Sequence, residues 1–347
     1  MATSTTETTQ PEYGFRTAKG EWRPPYPVSY APLFSWPPRP VDTLKWLFRW
    51  GGYLWPWNII YFALATATWL WLQPPLAHCV QLQAGWIGQI FLRNFILLWI
   101  ITGGWHLLLY TFKAQGTERR YSTHWLRVND PNFLFRNQLY DNIFWSCVSG
   151  CTIWTAYEVL YFWAAANHHV PYVSWSQHPI YCAFLLLLIP IWREFHFYWV
   201  HRAIHWKPMY KYVHYLHHKN VQPGPWSGLS MHPVEHLLYF TCVLIHFVVP
   251  SHPIHFILDA QHAALTPAYG HLGFEGPLLD GKLPGGSYFH YLHHRYFECN
   301  YGESTVPFDR IFGTLRDGMS DVVRTPQPPP AGTVLPRDSA SALPGSV

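Results

Sequence analysis

The sequence predicts an all-α, multi-pass membrane protein. It should have about four transmembrane helices and a re-entrant helical hairpin, with a histidine-rich helical cap facing the cytoplasm. Three observations lead there. Long stretches carry no Asp, Glu, Lys or Arg; aromatic residues reach 18% while charged ones stay at 12%; and histidines gather in short runs at helical spacing. An apolar run of ~20 residues is what a bilayer core demands of a helix. Trp and Tyr suit its interfaces, where one end of the ring is apolar and the other wet. The mean hydropathy of -0.03 conceals this pattern, because polar tails and the histidine-rich part dilute the average.

Taken in order, residues 1–44 read as a polar, then Pro-rich arm (WRPPYPVSYAPLFSWPPRP), either flexible or ordered on contact. The start, MATSTTETTQPEYG, has no basic stretch followed by an apolar run, so a cleaved signal peptide is not expected. Residues 45–192 form the membrane stem. Residues 51–92, 95–112 and 159–192 are free of fixed charge. Spans are predicted at residues 53–72, 91–112, 140–164 and 181–199, with Pro190 kinking the fourth. Residues 237–258 are apolar again, but PSHP at Pro250–Pro253 favours a turn between two short helices over one straight span. The tail, residues 319–347, is Pro/Ala/Ser-rich, unable to bury a core, and expected to be disordered.

Loop charge orients the spans. Arg39, Lys45 and Arg49 precede the first span, and Lys113, Arg119, Arg120, Arg127 and Arg136 separate the second from the third. The other two connections have no Lys or Arg. The positive-inside rule therefore puts both termini and the histidine-rich part in the cytoplasm, without resolving plasma membrane from endoplasmic reticulum. A net charge of +4 with no basic-aromatic groove gives no reason to expect a nucleic-acid partner. The six cysteines show no paired spacing, which argues against a disulfide framework or a Cys-based zinc site.

Residues 193–318 carry the chemistry. His201 and His205 (HRAIH) are four apart, so on a helix they share a face. His214, His217 and His218 (HYLHH) fall at i, i+3 and i+4, as do His290, His293 and His294 in a second HYLHH. Two such helices brought together, HRAIH and the first HYLHH, would present five nitrogens to one centre. Neutral imidazole suits Zn, Cu, Fe and Ni. These eight histidines exceed the three or four ligands of one zinc ion and suffice for two metals.

The boxes HRAIH, HYLHH and HYLHH, with the closing NYGESTVPFDRIFGT, resemble the integral-membrane fatty acid hydroxylase/sterol desaturase superfamily. The resemblance covers residues 194–317 and is specific in box order and spacing. It implies a cytoplasm-facing centre of two iron ions on a membrane stem, using O2 to hydroxylate or desaturate a sterol-like or fatty acyl lipid. It also implies that His201, His205, His214, His217, His218, His290, His293 and His294 are the ligands, with His271 a ninth. In HPVEH, His236 is open between a ligand and a group bonded to one, and His232 between that and a structural role. Glu275 stands where some relatives have a histidine, as a carboxylate ligand or an acceptor beside one. Glu235, Glu303 and Asp309 are candidates for fixing imidazole tautomers, although Asp309 beside Arg310 is equally readable as an ion pair.

The sequence shows no HPGG haem loop and no GxGxxG dinucleotide loop. Electrons would then come from a separate carrier, a ferredoxin, a cytochrome b5 or a reductase. Lys207, Lys211, Lys219 and Arg295 beside the boxes are equally readable as steering an acidic carrier and as ordinary solvated or headgroup-facing charges. The competing readings are a zinc-dependent membrane hydrolase and a metal-binding membrane protein without oxygenase activity.

Overall fold

Proline sets several helix starts in this chain. In the computed structural model, which describes residues 14–319, α1 (Pro40–Phe48) opens on proline, as do three longer helices further on. At a first helical position the missing N–H has no intrahelical partner to lose. Ahead of α1, Phe15–Arg16 (β1) and Trp22–Arg23 (β2) pair as a short antiparallel ladder. The described part of the Pro-rich arm is not free. Trp22 N–H donates to Tyr121 O (3.0 Å), Val28 N–H to Asp317 O (3.0 Å) and Ala31 N–H to Ser304 O (2.8 Å), and Trp22 packs with Tyr121, Tyr288 and Tyr291. The predicted C-terminal tail lies, apart from Met319, outside the described residues.

The stem is helical throughout. Helix α2 is Trp57–Leu72 and α3 is Ala84–Thr111. Helix α4 runs through Gln138–Phe144, a wider π segment Trp145–Gly150, and Cys151–Ala166. Helix α5 is Pro179–Ile204, with Pro190 inside it. Among the described residues two helices are long and apolar enough to cross a membrane, α3 with 28 residues and α5 with 26. At 1.5 Å per residue these exceed a ~30 Å hydrocarbon core, whereas the 16 residues of α2 reach about 24 Å. Helix α4 is long but polar on its inner side, with Asp141, Asn142, Ser146, Thr155 and Glu158 all buried. Glu158 pairs with Arg93 of α3, whose guanidinium also donates to Gln73 Oε1 (2.9 Å) and Asn94 Oδ1 (3.0 Å). An ionised group at such depth persists only when paired in this way.

The break at PSHP is present. Helix α6 comprises Lys207–Met209, the π segment Tyr210–His214 and Tyr215–His218, and α7 is Pro233–Phe247. The chain turns at residues 248–252 and re-enters helix at α8 (Pro253–Gly270), where the His252 ring accepts from Ile254 N–H. The second arm is longer than the apolar run suggested, because buried positions continue through Ala260, Ala263, Ala264 and Leu265 to Ala268. Helix α8 is buried nearly throughout, its polar His255, Asp259, Gln261 and His262 included. It packs against α2, α4, α5 and the turn Pro225–Leu229, and so forms the axis of the core. Two short helices complete the cap: α9 (Tyr288–Tyr296) and α10 (Phe308–Ile311).

Candidate metal centre

The C-terminal end of α5, all of α6, the residue after α8, and α9 converge, and each brings histidine. Nine imidazoles form two groups whose donor nitrogens lie within 4.8 Å of one another: His201, His205, His214, His218 and His293; and His217, His271, His290 and His294. All are buried except His205, which is half-buried.

Helix geometry explains the sorting. Residues four apart differ by about 40° around the axis, whereas neighbours differ by about 100°. His214 and His218 therefore serve one group, while His217 is swung into the other. In α9 the same rule sends His290 and His294 to the second group and His293 to the first. The five-nitrogen centre expected from HRAIH and the first HYLHH is thus corrected: His293 takes the place of His217.

The far side of each ring determines what the near side can do. The Nδ1–H of His201 donates to Tyr301 O (2.6 Å), of His293 to Cys299 O (2.6 Å), of His271 to Pro267 O (2.7 Å) and of His217 to Ser230 O (3.3 Å). The Nδ1 of His214 lies 2.8 Å from Glu235 Oε1. A carbonyl oxygen only accepts, so Nδ1 of those four rings carries the proton and Nε2 is left with a lone pair.

The Nε2 atoms of the rings in each group face one another. His271 Nε2 is 3.4 Å from His217 Nε2, and 3.0 Å from both His294 and His290 Nε2. In the other group His218 Nε2 is 3.0 Å from His293 Nε2 and 3.2 Å from His205 Nε2, which is 3.1 Å from His214 Nε2. The bare His271 and His217 nitrogens cannot hydrogen-bond to each other. A cation between them removes the conflict, and with metal–nitrogen bonds of about 2.1 Å, ligands 90–109° apart stand about 3.0–3.4 Å apart. The donor set fits two metal ions. Protons are a poor substitute, because burial holds the rings neutral: His217 is pushed down to about 4, and His205 and His271 to about 3.

The remaining candidates fall outside both groups. His236 lies 2.9 Å from Ser149 Oγ and 3.1 Å from Leu229 O, and His232 accepts from Val234 N–H as a helix cap. Glu275 accepts from the Tyr121 hydroxyl (2.7 Å) and from the Gly276 and Tyr288 amides, with burial raising it to about 7. Asp309 accepts from the Tyr301 and Gly302 amides (2.9 and 2.8 Å) and from Thr314 Oγ1. It forms no ion pair with Arg310 but holds the loop whose Tyr301 carbonyl orients His201. Glu303 pairs with Arg193, not with a histidine. The backbone acceptors had no sequence signal. Arg193 had one: it is the first charge after the uncharged residues 159–192. A cavity of ≈ 230 Å³ opens beside the cluster, lined by His201, His214, His217, His271 and His290 together with Tyr239.

Fold and site define a helical membrane protein built round a double histidine cluster. A family model, fatty acid hydroxylase, matches residues 186–314. The chain is 30% identical over 256 residues to a Delta(7)-sterol-C5(6)-desaturase of Nicotiana tabacum, covering 71% of this chain and 87% of that protein. It is 34% identical over 143 residues to a Delta(7)-sterol 5(6)-desaturase of Gibberella zeae, 39% of each chain. A third relative, the Delta(7)-sterol 5(6)-desaturase of Candida glabrata, is 27% identical over 239 residues, 65% of this chain and 62% of its own length. No solved structure matches. The chain belongs to the fatty acid hydroxylase/sterol desaturase superfamily and is an oxidoreductase.

Proposed function

We propose that this protein is a membrane-bound, O2-dependent di-iron enzyme that desaturates or hydroxylates a sterol-like lipid, with desaturation favoured by the names of its relatives. The observation that carries the reading is the opposed imidazole lone pairs, which suit two cations held by neutral nitrogen donors. His201, His205, His214, His218 and His293 would hold one ion, and His217, His271, His290 and His294 the other. Iron, when bound, supplies the redox chemistry that activates dioxygen.

The chain's own residues do the rest. The carbonyls of Tyr301, Cys299, Ser230 and Pro267 hold four rings in one tautomer and orientation, and Glu235 holds His214. The cavity beside the rings, lined also by Phe197, Ile204, Met231 and Tyr239, would receive the lipid C–H bonds. Either outcome consumes two electrons per O2, which a separate carrier must deliver. Of the basic residues beside the boxes, Lys219 bonds Asp141 and Arg295 bonds Glu21, while Lys207 and Lys211 stay exposed. We place the boxes and both termini on the cytoplasmic side of a four-span stem, with α7 and the start of α8 as the re-entrant pair. The support is the loop charge.

The test is turnover of a Δ7-sterol by iron-loaded protein in lipid, with and without O2 and reductant. Loss of two hydrogens or gain of one 18O only when both are present is expected. Turnover in the absence of both would sink the reading and favour metal-assisted hydrolysis.

A further inference from the structure

Arg193 precedes His201 on α5 by eight residues, about 12 Å along the axis. Its guanidinium is buried. Nη1 donates to Glu303 Oε1 (2.8 Å) and Nη2 to the Tyr239 hydroxyl (2.6 Å), which itself donates to Ala263 O (2.7 Å). The pair is therefore braced from α5, α7 and α8. Glu303 differs from its partner: 46% of its side chain is accessible, and Arg193 takes only Oε1. Glu303 lies between two cavities. Glu303, Ser304, Thr266 and Tyr269 line both the ≈ 230 Å³ cavity beside the histidines and a second cavity of ≈ 250 Å³. The second is walled by Trp57 and Tyr61 of α2. Two cavities sharing four residues adjoin as a candidate channel for a lipid, with imidazoles lining one, aromatic rings the other and Glu303 common to both.

We propose that the Arg193–Glu303 pair is a specificity-determining anchor that accepts a hydrogen bond from an uncharged hydroxyl group of the lipid in this channel. The proposal rests on the lipid-oxidising reading. A buried arginine alone would attract phosphate, sulfate or carboxylate head groups. Glu303 neutralises it and repels anions, and its available oxygen requires a donor, which an alcohol has and an ether lacks. The anchor also sets direction. The segment of lipid reaching from Glu303 to the histidines carries the oxidised carbon, and the rest of the molecule fills the aromatic chamber.

The experiment is equilibrium binding to purified full-length protein in nanodiscs, without O2 or reductant. The probes are a tritiated Δ7-sterol, its 3-methyl ether and its 3-sulfate. Loss of one hydrogen bond to a charged acceptor predicts that the alcohol binds about 10- to 100-fold tighter than the ether, with the sulfate weaker than the alcohol. Glu303→Gln, which leaves the Arg193 charge unbalanced, should shrink the alcohol-to-sulfate preference by about tenfold or more. Equal binding of alcohol and ether by the wild type, or no binding of the alcohol, overturns the proposal without needing a variant to fold. So does a variant that weakens all three probes together with unchanged ratios, the signature of a purely structural role. Because binding is read without O2 or electrons, failure of the anchor and failure of the oxygenase reading are separate results.

Discussion

Removing the Glu235 carboxylate tests whether the five-histidine group is a metal site. Glu235 is buried, and its Oε1 lies 2.8 Å from His214 Nδ1. His214 Nε2 lies 3.1 Å from His205 Nε2, at the centre of the group. With a cation at Nε2, Nδ1 becomes the donor and the carboxylate its charged acceptor, a bond contributing about 1.5–3 kcal/mol. Glu235→Ala deletes it and strands a buried N–H, so affinity at this group should fall about 10- to 100-fold. Glu235→Gln keeps a neutral acceptor and should lose less, on the order of tenfold. The assay is metal content and chelator competition on iron-loaded protein. In Glu235→Ala one of the two ions should become labile while the other resists, because no member of the four-histidine group contacts Glu235 in the same way. His232→Ala, which alters only a helix cap, is the control and should retain both ions. Two ions of unchanged chelator resistance in Glu235→Ala would refute the argument.

Four further outcomes are expected. His217→Ala and His293→Ala belong to different groups, so each should lose one ion and abolish O2-dependent turnover, whereas His168→Ala, in an exposed turn, should match wild type in both. Gly228→Ala should loosen the four-histidine group, since a Cβ there would stand 2.4 Å from the Pro267 carbonyl that accepts from His271; overpacking costs about 1–3 kcal/mol, and unchanged melting and metal content would refute this. The metal-free protein should lose stability on acidification. His217, at about 4, and His271, at about 3, lie below the ~6.5 of an unfolded imidazole, so protons bind the unfolded state preferentially from about pH 6.5 downwards; a flat denaturation midpoint from pH 7 to 4 counts against it. Finally, single cysteines at Ala166 and Thr117 should label from opposite faces of the membrane, and same-side labelling would remove the four-span arrangement.

The elements most readable in the sequence were those with local causes. Charge-free runs and prolines announced α3, α5 and the break at residues 248–252, because chain hydrophobicity and a missing N–H act where they stand. The π segments in α3, α4 and α6 had no such signal. The pairing inside the predicted span at residues 140–164 was also hidden: Glu158 has no partner in sequence until Arg93 of α3 is seen beside it. Likewise Lys219 and Arg295 read as free surface charge until their partners Asp141 and Glu21, 78 and 274 residues away in sequence, are found.

For the site, the sequence by itself determined which histidines lie on a shared helical face, because 3.6 residues per turn brings i, i+3 and i+4 together. It paired His201 with His205, but kept His217 with His214 and His218, and His293 with His290 and His294. Only the tertiary structure decided that His293 joins the first box, that His217 joins His271, and that His236, Glu275 and Asp309 stand outside. It also supplied the carbonyls that leave four of the nitrogens bare. The physical reason is that helical periodicity fixes angles along one helix, whereas the meeting of α5, α6, α8 and α9 depends on how each packs against the buried core.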